Sequence, residues 1–143
     1  MWLYEGKEFE PENLDPKELY GFVYLIENNI TNKKYIGKKF FWSSKTRQVK
    51  GKKKRYKAES DWRDYYGSNA VLAEEVKVSG ADTYTRTILH LCRSKSECAY
   101  LEAREQFERN VIVSDEYYND WISVKVTRRH LAKVKDHING QGS

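Results

Sequence analysis

Tyr24 and Tyr35 stand eleven residues apart in "GFVYLIENNITNKKYIGKK", residues 21–39, and Gly37, Lys38 and Lys39 follow the second at once. A phenol with its ordinary pKa of about 10 is a poor base at neutral pH unless nearby cations favour its phenolate. Two phenols side by side stand next to a glycine that lets a phosphate or a backbone approach closely, with two lysines immediately after it. Most strand tyrosines are core or stacking surface. It is the combination with Gly37 and the cations that points to chemistry.

The segment from Lys45 to Lys57 sharpens the reading. It holds Lys45, Arg47, Lys50, Lys52, Lys53, Lys54, Arg55 and Lys57 and no acid, so against a total charge of +5 these eight cations leave the rest of the chain at −3. A local block of this kind is an electrostatic footprint for a polyanion more often than a solvated loop, and Tyr56, Trp62, Tyr65 and Tyr66 beside it could stack on bases.

The elements that must position these groups are legible in outline. "GFVYLIEN" and "KKYIGKKFF" read as two strands. A two-residue loop at Asn29-Ile30 would pair Tyr24 directly with Tyr35 and place both phenols on one face. Phe22, Tyr24 and Ile26 share one side and Val23 and Leu25 the other, which marks an interior strand. "SDWRDYYGS" predicts a short helix from Ser60 or Asp61 to Gly67, and "NAVLAEEVKVSG" a second ending on Gly80. "TYTRTILHLC" alternates as a third strand, and "SKSECAYLEAREQFERNV" is a helix started by Ser94 or Ser96. "SDEYYNDW" is a loop, "ISVKV" a short strand, "RRHLAKVKDHI" a terminal helix, and the closing Gly142-Ser143 an expression remnant. The whole is α+β: a small antiparallel sheet of about three strands flanked by helices. Residues 1–20, with both prolines, form a lead-in over an edge of the domain; residues 21–125 form the domain, with an inserted basic loop at 43–58; residues 126–143 form a basic tail or helix.

The Gly21-Phe22-Val23-Tyr24 and Tyr35-Ile36-Gly37 segments resemble the GIY-YIG nuclease signature, with Phe-Val where the first half usually has Ile. The order of hairpin, helices, strand and glutamate-bearing helix is similar too, over residues 21 to about 120. In that family a late helix carries a metal-binding glutamate in a pattern like E-A-x-x-L-E, matched here by "ECAYLE" at 97–102 and so by Glu102, with Glu105 as the rival. Tyr117-Tyr118-Asn119 is similar to the family's late Tyr-Asn and implies that Asn119 orients a phosphate or holds structure. The family's arginine is displaced: its usual distance falls on Lys45 and Arg47, so the resemblance passes to Arg63, with Lys38 and Lys39 as alternatives.

What the resemblance implies is a phosphodiester hydrolase acting on DNA, double-stranded in particular. Tyr24 would be the general base, Tyr35 would hold the water or phosphate, Arg63 or Lys39 would neutralise developing charge, and Glu102 would hold one divalent cation. A single carboxylate suits Mg²⁺, or Mn²⁺ in its place. Gly37, Lys38 and Asn119, with Arg47, Lys50, Lys52, Lys53, Lys54, Arg55 and Lys57 of the basic loop, would contact nucleic acid. Small members of the family occur as homing-type nucleases of phage and mobile elements. The alternative is a non-catalytic nucleic-acid-binding module built on the same hairpin and loop.

With 143 residues there is room for one domain and not for a second. Sequence specificity would have to come from the inserted loop, the tail or a homo-oligomer. Cys92 and Cys98 make neither a disulfide framework nor, with histidines, a zinc site. No apolar run is long enough to span a membrane and the N-terminus is unlike a signal peptide, so the expectation is a cytoplasmic protein without membrane contact.

Overall fold

The computed structural model describes residues 1–140, and the Gly142-Ser143 dipeptide lies outside them. Strand β1 (Trp2–Tyr4) and the two-residue β2 (Lys7–Glu8) are followed by β3 (Gly21–Asn28), β4 (Lys34–Phe40), and a second pair, β5 (Trp42–Val49) and β6 (Lys52–Glu59). Helix α1 (Ala70–Ser79), strand β7 (Tyr84–Cys92) and helix α2 (Lys95–Glu108) complete the body, with short helices α3 (Arg128–Leu131) and α4 (Lys135–Gly140) behind them. The body sheet runs β2-β1-β7-β3-β4, and β5 and β6 form a separate two-stranded sheet.

Strand β3 is apolar on both faces and is covered on both, as its composition requires. Phe22, Tyr24 and Ile26 pack with Trp2, Phe41, Trp62 and Leu72 on one face; Val23, Leu25 and Ile36 pack with Cys98, Leu101 and Val111 on the other. Helix α2 lies across this second face. Asn69 caps α1 by accepting from Leu72 N–H, and Ser94 caps α2 by accepting from Glu97 N–H.

The sheet has five strands and is mixed, not three and antiparallel. The lead-in supplies the extra members: β1 runs parallel to β7, with Trp2 opposite Arg86, while the other strand pairs are antiparallel. Three residues are too few to show a period-2 pattern, so the strand is held by its anchor. The buried Trp2 indole N–H donates to Trp62 C=O at 2.7 Å.

The β3–β4 hairpin is shifted from the two-residue-loop expectation. Tyr24 faces Gly37 across the strands and Tyr35 faces Ile26. The cause is Asn28, whose side chain accepts from the N–H groups of Ile30 and Thr31 (2.9 and 3.2 Å) and widens the turn. A slip of two residues preserves side-chain parity, so both phenols still share a face.

Four further expectations are corrected. The "loop" at 43–58 is a regular hairpin, paired from Trp42–Glu59 to Val49–Lys52 around Lys50-Gly51, both at positive φ (52° and 76°), the backbone of a tight hairpin turn. Its lysine-rich strands lack any apolar alternation to announce it. The helix expected around Arg63 is one 3₁₀ turn, Trp62–Asp64, because Tyr65 is already extended. Ile122–Val126 forms no strand, and the terminal helix is broken by a 3₁₀ turn at Ala132–Val134. Among the described residues no helix is long and apolar enough to cross a membrane.

Gly37 is required by packing. A Cβ there would lie 2.6 Å from Tyr24 Cζ and closer still to its hydroxyl, so the phenol occupies the space over this backbone. Gly37→Ala is expected to lower unfolding stability by about 1–3 kcal/mol, the usual cost of overpacking, read from urea denaturation. A midpoint equal to wild type would contradict this packing.

Candidate active site

Strand β4 is the outer strand of the body sheet, so its outward N–H and C=O groups need partners. They are met in sequence along the edge. Lys34 N–H donates to Glu116 C=O and Tyr118 N–H to Lys34 C=O (2.8 and 2.7 Å). Two residues on, the Asn119 carboxamide takes both groups of Ile36, accepting from its N–H at 3.0 Å and donating to its C=O at 2.8 Å. Gln106 Nε2 donates to the same carbonyl at 3.1 Å. Two residues further, Glu102 accepts from Lys38 Nζ at 3.1 Å. Asn119 is thus engaged with the strand in the way a structural residue is.

Beyond this covered edge opens a cleft of about 680 Å³. Its walls are Tyr35, Lys38 and Lys39 of β4, Glu102 and Gln106 of α2, Asn119, Asp120 and Trp121, the root of the β5–β6 hairpin at Trp42, Ser43 and Lys45, and Ser68-Asn69 before α1. Tyr35 comes to it from one face of the sheet, with Tyr24 buried behind it, and Glu102 from the other. They meet because β4 has no neighbour on its outer side.

The rings of Tyr24 and Tyr35 are 6.1 Å apart and that of Tyr65 is 6.0 Å from Tyr24. Tyr35 shares a hydrogen bond with Ser68 Oγ at 3.0 Å. Burial pushes the Tyr24 phenol well above its ordinary pKa, and Tyr65, Tyr35 and Glu102 add to the rise. Tyr35 is raised for the same first reason, with Ser68 opposing. Burial also raises Glu102, against the pull of Lys38. Lys39 Nζ lies 2.6 Å from Asp61 and 4.1 Å above the Tyr65 ring. The lysines expected to favour a phenolate are therefore each occupied by an acid in the free protein.

Of the sequence candidates, Tyr35, Lys38, Lys39, Glu102 and Asn119 line the cleft, with Tyr24 stacked behind Tyr35 on Gly37. Gly37 admits the Tyr24 phenol, so the space foreseen for a phosphate is filled. Arg63 is not in the lining: its Nε pairs with Glu59 at 3.3 Å and its guanidinium stacks on Trp62. Glu105 is turned to His90 and Arg109, both at 2.8 Å, which hold its carboxyl down at about 2. Glu97 is fully buried, accepting from Arg93 N–H at 2.7 Å and meeting His137 at 2.6 Å. Arg47, Lys50, Lys52, Lys53, Lys54, Arg55 and Lys57 lie exposed on the hairpin, and only Lys45 of that series lines the cleft.

Several residues escaped the sequence reading. Gln106 is one helical turn after Glu102 and so shares its face, a spacing that could have been used. Arg86, at an inward position of β7, donates to the carbonyls of Arg63 and Tyr65 (3.0 and 2.9 Å) and fixes the turn that carries Tyr65 over Tyr24. Ser68 and the exposed Trp121 had no distinguishing pattern.

Among the described residues no three His, Cys, Asp or Glu side chains cluster as a metal cage. A cation in the cleft would rest on Glu102 and complete its shell with water and substrate oxygens, which is the habit of Mg²⁺.

The family model described as "Putative endonuclease segE, GIY-YIG domain" matches residues 2–122. "Putative endonuclease segE" of Enterobacteria phage T4 is 31% identical over 102 residues, covering 71% of this chain and 40% of that protein. The chain thus spans less than half the length of this relative. No solved structure matches. The matched span runs from the start of β1 through the hairpin and past the Asn119 clamp, so it takes in the cleft residues up to Trp121 and most of the chain, and on that ground the chain belongs to the GIY-YIG endonuclease family, in its segE branch.

Proposed function

We propose that the chain is the catalytic unit of a DNA endonuclease that hydrolyses a phosphodiester with help from Mg²⁺ or Mn²⁺. One observation carries this: Tyr35 and Glu102 arrive from opposite faces of the sheet at one open cleft that also holds Lys38 and Lys39, with the buried Tyr24 ring 6.1 Å behind Tyr35. Hydrolysis needs a deprotonated water, relief of charge on the phosphorane-like transition state, and a stabilised leaving oxygen.

Glu102 would hold a divalent cation on the leaving-group side, which would supply charge neutralisation at the phosphate and stabilise the leaving oxygen. The protein's own groups do the rest. Tyr24 Oη accepts the proton of the attacking water. Tyr35 Oη, tied to Ser68, orients that water or a phosphate oxygen. Lys38 and Lys39 exchange their acids, Glu102 and Asp61, for phosphate oxygens when substrate enters. They take the charge-neutralising role for which sequence favoured Arg63. The Asn119 carboxamide is already spent on Ile36, so its part is to hold β4 in place.

Supercoiled plasmid incubated with protein and Mg²⁺ is expected to be nicked or linearised. Tyr24→Phe should lower that rate by about 10²–10⁴, the usual worth of a positioned base. Glu102→Gln should abolish metal-dependent cutting while Glu105→Gln leaves it measurable. Salt-sensitive binding with no cutting in either metal would overturn the nuclease reading in favour of a binding module.

The raised phenols set the pH profile. If Tyr24 must lose its proton to act, the active fraction grows with pH until the raised pKa is reached. The single-turnover rate should climb about tenfold per unit from neutral into alkaline buffer, and the slope should vanish in Tyr24→Phe. A wild-type rate flat across that range would remove Tyr24 as the base.

A further inference from the structure

The β5–β6 hairpin is charged on both faces, but the faces have different surroundings. Directly opposed residues share a face. Lys45, Arg47, Lys52, Lys54 and Tyr56 therefore lie on one, and Lys53, Arg55 and Lys57 on the other. At the root both faces meet the cleft, through Ser43 and Lys45 of the first and Trp42 and Glu59 of the second. Of the hairpin's basic residues only Lys45, on the first face, is among its walls, and the Arg47 guanidinium stands 5.2 Å over the Tyr56 ring further out on that face. The second turns to the body: Lys57 Nζ lies 5.0 Å over Tyr20, and at the root Trp42 Nε1 donates to Leu19 C=O at 3.0 Å.

We propose that the face bearing Lys45, Arg47 and Lys54 is a rail for duplex DNA, gripping the backbone of the flank that leads away from the cleft, and that the opposite face does not share this contact. Strands of eight residues reach about 26 Å at ~3.3 Å per residue, and a two-stranded ribbon is narrow enough to enter a DNA groove. That reach covers roughly eight base pairs at ~3.4 Å per step along a strand. The partner is duplex and not single-stranded because the rail offers one aromatic ring. Single-strand sites stack successive bases on several. The proposal rests on the nuclease reading for what occupies the cleft, but its test is a binding measurement that needs no cutting.

The test compares two triple variants of the full chain that remove equal charge: Lys45→Ala/Arg47→Ala/Lys54→Ala and Lys53→Ala/Arg55→Ala/Lys57→Ala. Affinity for a fluorescent duplex of about 30 base pairs is read by anisotropy in EDTA over a salt series. The rail triple should lose about tenfold or more and flatten the log Kd against log salt slope by about two to three. Its loss should exceed that of the other triple by about fivefold or more. Smaller differences, a greater loss in the second triple, or tighter wild-type binding to the matching single strand would overturn the rail. If either triple fails to fold by circular dichroism, Arg47→Ala against Arg55→Ala is read by the same fivefold criterion. A protein that passes this test but never cuts in Mg²⁺ keeps the rail and loses the nuclease. One that cuts yet shows equal losses does the reverse.

Discussion

The outer edge of β4 is the constraint on which the rest of the structure depends. A terminal strand leaves alternate backbone groups without partners, and a buried amide or carbonyl left unpaired costs about 1–3 kcal/mol. Lys34 and Ile36 present those groups here, and they are satisfied in turn by the returning 116–118 segment and by Asn119 with Gln106, while the Lys38 side chain beyond them pairs with Glu102. Satisfying the edge thus delivers a carboxylate to the rim of the cleft. The same hydrogen bonds tie α2 and the segment after it to the strand that carries Tyr35, so the two sides of the site share one backbone.

Burial sets the electrostatics. Tyr24, Tyr35 and Glu102 are all shifted toward their neutral forms by loss of water, and Glu102 adds its negative charge to the burden on both phenols. Any positive charge brought to Glu102 acts on three titrating groups at once and in the same direction. The free protein guards against that low-dielectric cost by pairing Lys38 with Glu102 and Lys39 with Asp61. These pairs are partly exposed and adjacent to open solvent, so a backbone phosphate and its counterion can compete for them.

Much of this was legible in the residues, for identifiable reasons. The two faces of β3, the Ser94 cap and the Gly80 stop are strong local signals, and each element formed where its chemistry placed it. The shared face of Tyr24 and Tyr35 survived a wrong loop length because parity depends only on whether the slip is even. What failed were contacts between distant segments. Nothing local in Trp2-Leu3-Tyr4 says that it will pair in parallel with β7. Lysine-rich strands in β5 and β6 pair without the apolar period that marks a strand. Arg63 looked like a helical cation because Ser60 and Asp61 resemble a cap, yet Arg86 holds the following carbonyls in an extended turn and leaves Arg63 to Glu59. No local pattern tells that Glu102 lines the cleft while Glu105 turns to His90.

The central claim is that one phosphate can lie between the phenols and Glu102 at the β4 edge. Its most direct measurement is a crystal structure of Tyr24→Phe with an uncut duplex and Mn²⁺, located by anomalous scattering. The expected result is a manganese peak against Glu102 with a backbone phosphate between it and Tyr35. Manganese against Glu105 or elsewhere, or a duplex that never enters the cleft, would contradict the account.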